Sequence, residues 1–400
     1  MKTAIILSAL LLSTATQASA QVPEVLPHGD IPVMAWIGPP ANETTVERYR
    51  ELRDAGFTHS FSGFPDNDAM EGALDIAGEC GISLYIATPE LKKDPEGTVR
   101  RFMNHPALAG YHLRDEPCAT DFADLGAWVK RIRAVDDVHP CYINLFPNYA
   151  NSKQLGTETY REHVARFIDE VPTQIISFDH YPVTGETIRP EWYENLEIIS
   201  EEARDAGKPF WAFSLAVAHN PYPVPTLAHL RLQVFSDLAY GASCIQYFTY
   251  WTPQSTRWNF HEAPIRVDGT RSVVYERVSL VNREIRALSG VFSGARVISV
   301  GHTGDVIPQG TQRFTVMQPF YSFKTVGTGA VVSLLENGGR RFLVAVNRDI
   351  HESMSLTVSA DIAAKVKVVG KDGMMTLLDT LGSRFEVGPG DVMVFGWGKR

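Results

Sequence analysis

Asp115 and Glu116 are adjacent acids at the end of a short apolar run, Leu108-Ala-Gly-Tyr-His-Leu-Arg-Asp-Glu-Pro117. Pro117 cannot continue a central ladder, so both carboxylates belong at the mouth of whatever the strand supports. Neighbouring acids repel, which raises the pKa of one of them. A raised pKa is what a general acid needs near neutral pH. The plain alternative is a solvated Asp-Glu turn, and the position of the motif in the chain decides between the two.

That position is the fourth of eight repeating units. Short apolar or β-branched runs at 33–37, 57–61, 82–86, 108–113, 141–145, 175–179, 209–215 and 243–251 read as strands. Amphipathic patterns at 44–55, 68–79, 95–104, 121–135, 157–171, 191–206, 226–240 and 273–288 read as helices. Thr44-Thr-Val-Glu47 has the spacing of a capping box, and Gly56, Gly81 and Gly207 stand where helices should stop. Eight strand-helix units in about 255 residues predict a (β/α)8 TIM barrel. No glycine-rich phosphate loop follows the first strand, which argues against a doubly wound sheet.

Beyond Ser289 the pattern becomes short alternating runs separated by turns such as Asn337-Gly-Gly and Gly388-Pro-Gly-Asp391. This predicts a small all-β sandwich domain over 290–400 that closes one flank of a barrel spanning 21–289. Met1–Ala20 has a charged start, an apolar stretch and a small-residue cleavage site before Gln21, the pattern of a signal peptide. The expected product is exported, periplasmic or extracellular, with no membrane insertion. A formal charge of −9 disfavours nucleic acid as a partner. Cys80, Cys118, Cys141 and Cys244 lack metal-ligand spacing and read as free thiols.

Barrel enzymes carry their chemistry at the carboxyl ends of the strands. Those ends here offer Trp36, His112, Arg114, Asn144, His180, Tyr181, His219, Tyr250 and Trp251 beside the acids. Aromatic faces stack on sugar rings and polar groups fix hydroxyls, so the joint pattern points to an oligo- or polysaccharide substrate. The run Gly110–Pro117 resembles the strand-4 Asn-Glu-Pro signature of clan A glycoside hydrolases, with Asp115 in place of Asn. Ser177–Pro182, and Ala239-Tyr-Gly-Ala242 leading into Tyr250-Trp251, are similar to secreted bacterial barrel glycosidases that carry a C-terminal β-domain. The resemblance implies that Glu116 is the acid/base and that Asp115 contacts the sugar's 2-substituent.

The chain departs from that pattern at strand 7. Phe210–Asn220 holds no acid, where the clan keeps its nucleophile. Asp179 could serve as second carboxylate, Glu262 could reach in from the loop after strand 8, or an N-acetyl group of the substrate could attack. The last route resembles family 20 hexosaminidases, which use an adjacent Asp-Glu pair. A catalytically silent glycan-binding barrel is the rival reading. No His-rich metal motif and no Gly-x-Ser-x-Gly elbow occurs, so neither a metal nor another cofactor is expected.

Overall fold

The computed structural model describes residues 24–379 and 382–398. The signal-peptide reading of Met1–Ala20 lies outside them. Eight parallel strands close into a barrel: β1 (Val33–Trp36), β2 (His59–Phe61), β3 (Ser83–Ile86), β4 (Leu108–Asp115), β5 (Cys141–Leu145), β6 (Ile176–Phe178), β7 (Phe210–Leu215) and β8 (Cys244–Phe248). Helices α1 (Val46–Asp54), α2 (Asn67–Glu79), α3 (Pro95–Phe102), α4 (Phe122–Arg133), α5 (Tyr160–Glu170), α6 (Trp192–Asp205), α7 (Leu227–Tyr240) and α8 (Val273–Ala287) follow the strands in turn. The TIM barrel is therefore the fold, as the alternation of patterns predicts.

Local signals behave as their chemistry dictates. Gly56, Gly81 and Gly207 take φ of +88°, +73° and +63°, which a side chain resists and glycine does not. The expected capping box at α1 is instead a one-sided cap. Thr45 is the N-cap and accepts from the Arg48 N–H, so Glu47 is one residue too early to close the box.

Among the described residues nine more strands form the C-terminal part: β9 (Arg296–His302), β10 (Phe320–Val326), β11 (Ala330–Asn337), β12 (Arg340–Asn347), β13 (Met354–Ala360), β14 (Lys367–Val369), β15 (Met374–Leu377), β16 (Ser383–Val387) and β17 (Val392–Gly398). The larger sheet runs β15-β14-β17-β12-β11-β9, and Glu24–Val25 adds an edge strand against β15. The smaller sheet is β10-β13-β16. Alternation along β12 shows why the large sheet is apolar on both faces. Phe342, Val344 and Val346 join the barrel core, while Leu343 and Ala345 pack with Phe320, Leu356 and Phe395 towards the small sheet. Arg231 on α7 bonds Glu284 on α8 at 3.0 and 2.5 Å and reaches Asp391 of the sheet domain at 3.5 Å, tying the two parts together.

Helix α7 lies between the barrel and this sheet, so it is buried nearly all round. It carries Asp237, 1% exposed, whose Oδ2 has no hydrogen-bond partner among the described residues. Burial raises its pKa well above the carboxylate range. The folded state therefore holds a proton that the unfolded chain releases above about pH 3.9, and native stability falls as pH rises from there towards the folded pKa. Asp237→Asn keeps the shape of the neutral acid without that penalty. Its melting temperature should match wild type in acid and exceed it at neutral pH, the gap growing by up to about 1.4 kcal/mol per pH unit. Thermal melts across pH check this; a gap that does not widen with pH would show Asp237 ionised in the fold.

Candidate active site

Strict alternation along β4 from the inward-facing His112 would point Arg114 into the barrel mouth and Asp115 away from it. The β4–β5 register slips between His112 and Arg114, so Arg114 pairs with Ile143 and Asp115 with Asn144. This bulge swaps the faces. Asp115 enters the cleft; Arg114 is exposed outside it, 3.8 Å from Asp121. Glu116 then adopts φ +45°, and its N–H donates to the Asn144 carbonyl at 2.8 Å. A left-handed turn of this kind lets two consecutive acids reach one cavity, which an extended strand forbids.

The cleft has a volume of about 380 Å³ and is lined by Trp36, Asp115, Glu116, Asn144, Tyr149, Asp179, Tyr181, Phe213, His219, Tyr222, Phe248, Trp258 and Phe260. Its centre is the Asn144 amide. Nδ2 donates to Asp179 Oδ1 at 2.9 Å and to Asp115 Oδ1 at 3.2 Å. The amide's orientation is set from below. The Tyr142 hydroxyl donates to Gln246 Oε1 at 2.6 Å, Gln246 Nε2 to Ser177 Oγ at 2.9 Å, and Ser177 Oγ to Asn144 Oδ1 at 2.9 Å. Because Ser177 occupies the Asn144 oxygen, the NH2 group must face the acids. The shorter bonds of this buried chain run towards the carboxylates, with a longer 3.3 Å contact from Ser177 Oγ back to the Tyr142 hydroxyl, so each bond polarises the next.

Burial and the Asp115 charge push Glu116 up to about 7. Burial raises Asp115 as well. Asp179, 8% exposed, is raised by burial, then by Glu116 and Asp115. The three acids cannot all ionise together at neutral pH. Asp179 accepts from Asn144 and from the Tyr181 hydroxyl, and both donors favour its charged form. Among the described residues nothing donates to the Glu116 carboxyl. Burial works the other way on Asp179, so the two acids share one proton near neutral pH, and the bonds from Asn144 and Tyr181 support the charge on Asp179 when Glu116 holds that proton. Asp115 and Glu116 still see solvent in the open cleft, and a bound substrate that displaces this water strengthens the effect.

Several sequence candidates lie elsewhere. His112 is inside the barrel against Trp36, Phe61 and Tyr142, and burial lowers its pKa to about 3, so it stays neutral. His180 is buried behind Tyr149, bonded to Asn195 of α6 at 3.0 Å. Tyr250 and Trp251 are not cleft walls. The strand ends at Phe248, after which Tyr250 packs on Phe57 and Trp251 lies under the Arg48 guanidinium. Glu262 is held by Arg266 at 2.7 and 3.0 Å, which lowers its pKa and keeps it out of the cleft. Trp36, Asn144, Tyr181 and His219 do line it.

Sequence reasoning missed Tyr149, Phe213, Tyr222, Phe248, Trp258 and Phe260. Tyr149 and Trp258, 41% and 44% exposed, stand on loops after β5 and β8. The signal for Trp258 and Phe260 was the aromatic content of the loop after Trp251. Phe213 is the residue that β7 contributes to the cleft, so phenylalanine lines the wall where the resemblance implied a carboxylate. Among the described residues no group of acids, histidines and cysteines could hold a metal. No helix there is long and apolar enough to cross a membrane, and all four cysteines are free.

No family model and no curated protein matches the sequence. Solved structures do match the fold. A GH42 β-galactosidase (Gan42B, crystallised as a catalytic mutant) from G. stearothermophilus superposes with TM-score 0.64 at 10% identity, over 92% of this chain and 98% of that one. A family 39 glycoside hydrolase from Bacteroides cellulosilyticus WH2 gives 0.54 at 11%, over 92% and 81%. The β-galactosidase from Marinomonas ef1 gives 0.50 at 13% over 65% of this chain, which spans 60% of that protein's length. The chain is thus similar to solved glycoside hydrolases, and at these identities the likeness is one of fold.

Proposed function

We propose that the protein is a glycoside hydrolase acting on O-glycosidic bonds of an extracellular glycan after export. The observation that carries this reading is the convergence of Asp115 and Asp179 on the Asn144 amide, with Glu116 in the same aromatic cleft at the carboxyl ends of the barrel strands. Glu116, protonated near neutral pH, gives its proton to the leaving oxygen. Asp179, carrying the charge while Glu116 holds the shared proton, supplies the second carboxylate, either at the anomeric carbon or on a water. Asp115 and Asn144 are placed to meet the hydroxyl beside the anomeric carbon. Tyr149 and Trp258 offer exposed rings for neighbouring sugars. The shared fold with glycoside hydrolases supports the same class.

A screen of aryl glycosides and natural glycans tests the reading, with kcat/KM followed across pH. Glu116 must be protonated to act, so activity should fall as pH rises through about 7. Asp115→Asn removes the neighbouring charge and should move this limb to lower pH. A limb that stays in place in Asp115→Asn, or that survives in Glu116→Gln, would assign the titration to another group.

A further inference from the structure

The two halves of the cleft differ in chemistry. Asp115, Glu116, Asn144 and Asp179 come from the ends of β4 to β6 and hold all the acids and the amide of the lining, and His219 is the polar lining residue packed on the opposite side, against Phe248 and Phe260. Phe213, Phe248 and Phe260 come from β7, the end of β8 and the loop beyond it. Their rings form a continuous surface: Phe248 lies 6.0 Å from Phe260, and Tyr181 bridges Phe213 at 6.4 Å and Phe248 at 5.6 Å. Trp36 extends it, 5.3 Å from Phe213. Among the described residues no lysine or arginine lines the cavity. Arg189 stands behind the wall, with its guanidinium over Tyr149 and bonded to the Tyr222 hydroxyl.

A sugar held with its anomeric carbon at Glu116 and Asp179 has C2 on one flank of that carbon and the ring oxygen and C5 on the other. Turning C2 and its hydroxyl towards Asp115 and Asn144 turns the C5 substituent towards the phenyl wall. A hydroxymethyl against Phe213 and Phe248 loses its hydration and gains at most one partner, His219, which packs on Phe260 at 4.6 Å and Phe248 at 6.2 Å. A carboxylate fares worse, desolvated against rings in a cavity that already holds three acids and, among the described residues, no lysine or arginine. We infer, resting on the hydrolase reading above, that the cleft selects a neutral sugar whose C5 bears a methyl group or hydrogen, a 6-deoxyhexose or a pentose, with Phe213 as a specificity determinant.

Series of p-nitrophenyl glycosides that differ only at C5 test this: hexoside, 6-deoxyhexoside, pentoside and uronide, in the galacto and gluco configurations. In the configuration that is turned over, kcat/KM should be about 10- to 100-fold higher for the 6-deoxyhexoside or pentoside than for the hexoside. The uronide should not exceed the Glu116→Gln background. Phe213→Tyr, which adds a hydroxyl to the wall, should narrow the ratio. Calorimetry of the corresponding free sugars on Glu116→Gln reads the same preference without turnover. Equal or better use of the hexoside, hydrolysis of the uronide, or an unchanged ratio in folded Phe213→Tyr overturns the inference. Sugar preference in the binding arm without hydrolysis by wild type would overturn the hydrolase reading while leaving the cleft's selectivity standing. Neither binding preference nor hydrolysis would overturn both.

Discussion

Glu116→Gln is expected to lower kcat by about 1,000-fold or more on substrates with poor leaving groups, close to 4 kcal/mol of lost transition-state stabilisation. The reason is local. Glutamine keeps the size and the left-handed backbone of residue 116 but has no acidic proton, so the departing alkoxide must leave unprotonated. A dinitrophenolate needs no such help, and its release should slow by less than about tenfold. Steady-state rates over a leaving-group series make the test, because the two enzymes should converge as leaving-group pKa falls. Parallel lines, with equal losses throughout, would mean that Glu116 shapes the site without donating the proton.

The barrel was legible because its strands and helices announce themselves by period, and because glycines at Gly56, Gly81 and Gly207 punctuate them. The acid pair was legible because Pro117 forces a strand to end beside it. What the pattern could not reveal is where the period breaks. The bulge before Arg114 reverses which of Arg114 and Asp115 enters the cleft, and no residue type there signals an extra residue in the ladder. The turn after Phe248 likewise exchanges Phe248 for Tyr250 and Trp251 as the aromatic contribution of β8. Glu262 looked available because its partner Arg266 is four residues on in a loop, where spacing carries no rule of approach. Tyr149, Tyr222 and Trp258 reach the cleft on loops whose course depends on tertiary packing. Interior polar residues such as Gln246 and Ser177 became meaningful only once the barrel stacked them beneath Asn144.

Asp179→Asn should be nearly as damaging as loss of the acid, at about 1,000-fold in kcat, because strand 7 offers phenylalanine where a second carboxylate would otherwise stand. The substitution preserves shape, so binding of substrate measured by calorimetry should change little. The loss should fall on kcat for activated and unactivated substrates alike, in contrast to Glu116→Gln, since a missing second carboxylate is not replaced by a better leaving group. Azide should restore turnover to Asp179→Ala by entering the space the carboxylate leaves. The product's anomeric configuration, read by NMR, then assigns the role. Retention by wild type with an inverted glycosyl azide from the variant places Asp179 on the anomeric carbon; inversion by wild type places it on water. Full activity in Asp179→Asn would remove it from the chemistry and return Asp115 to the centre. In that case turnover should be confined to N-acetylhexosaminides, and a thiazoline that mimics the cyclised acetamido intermediate should inhibit strongly. Asn144 would hold Asp115 in either mechanism, so the variant at Asp179 separates the two where Asn144 variants cannot.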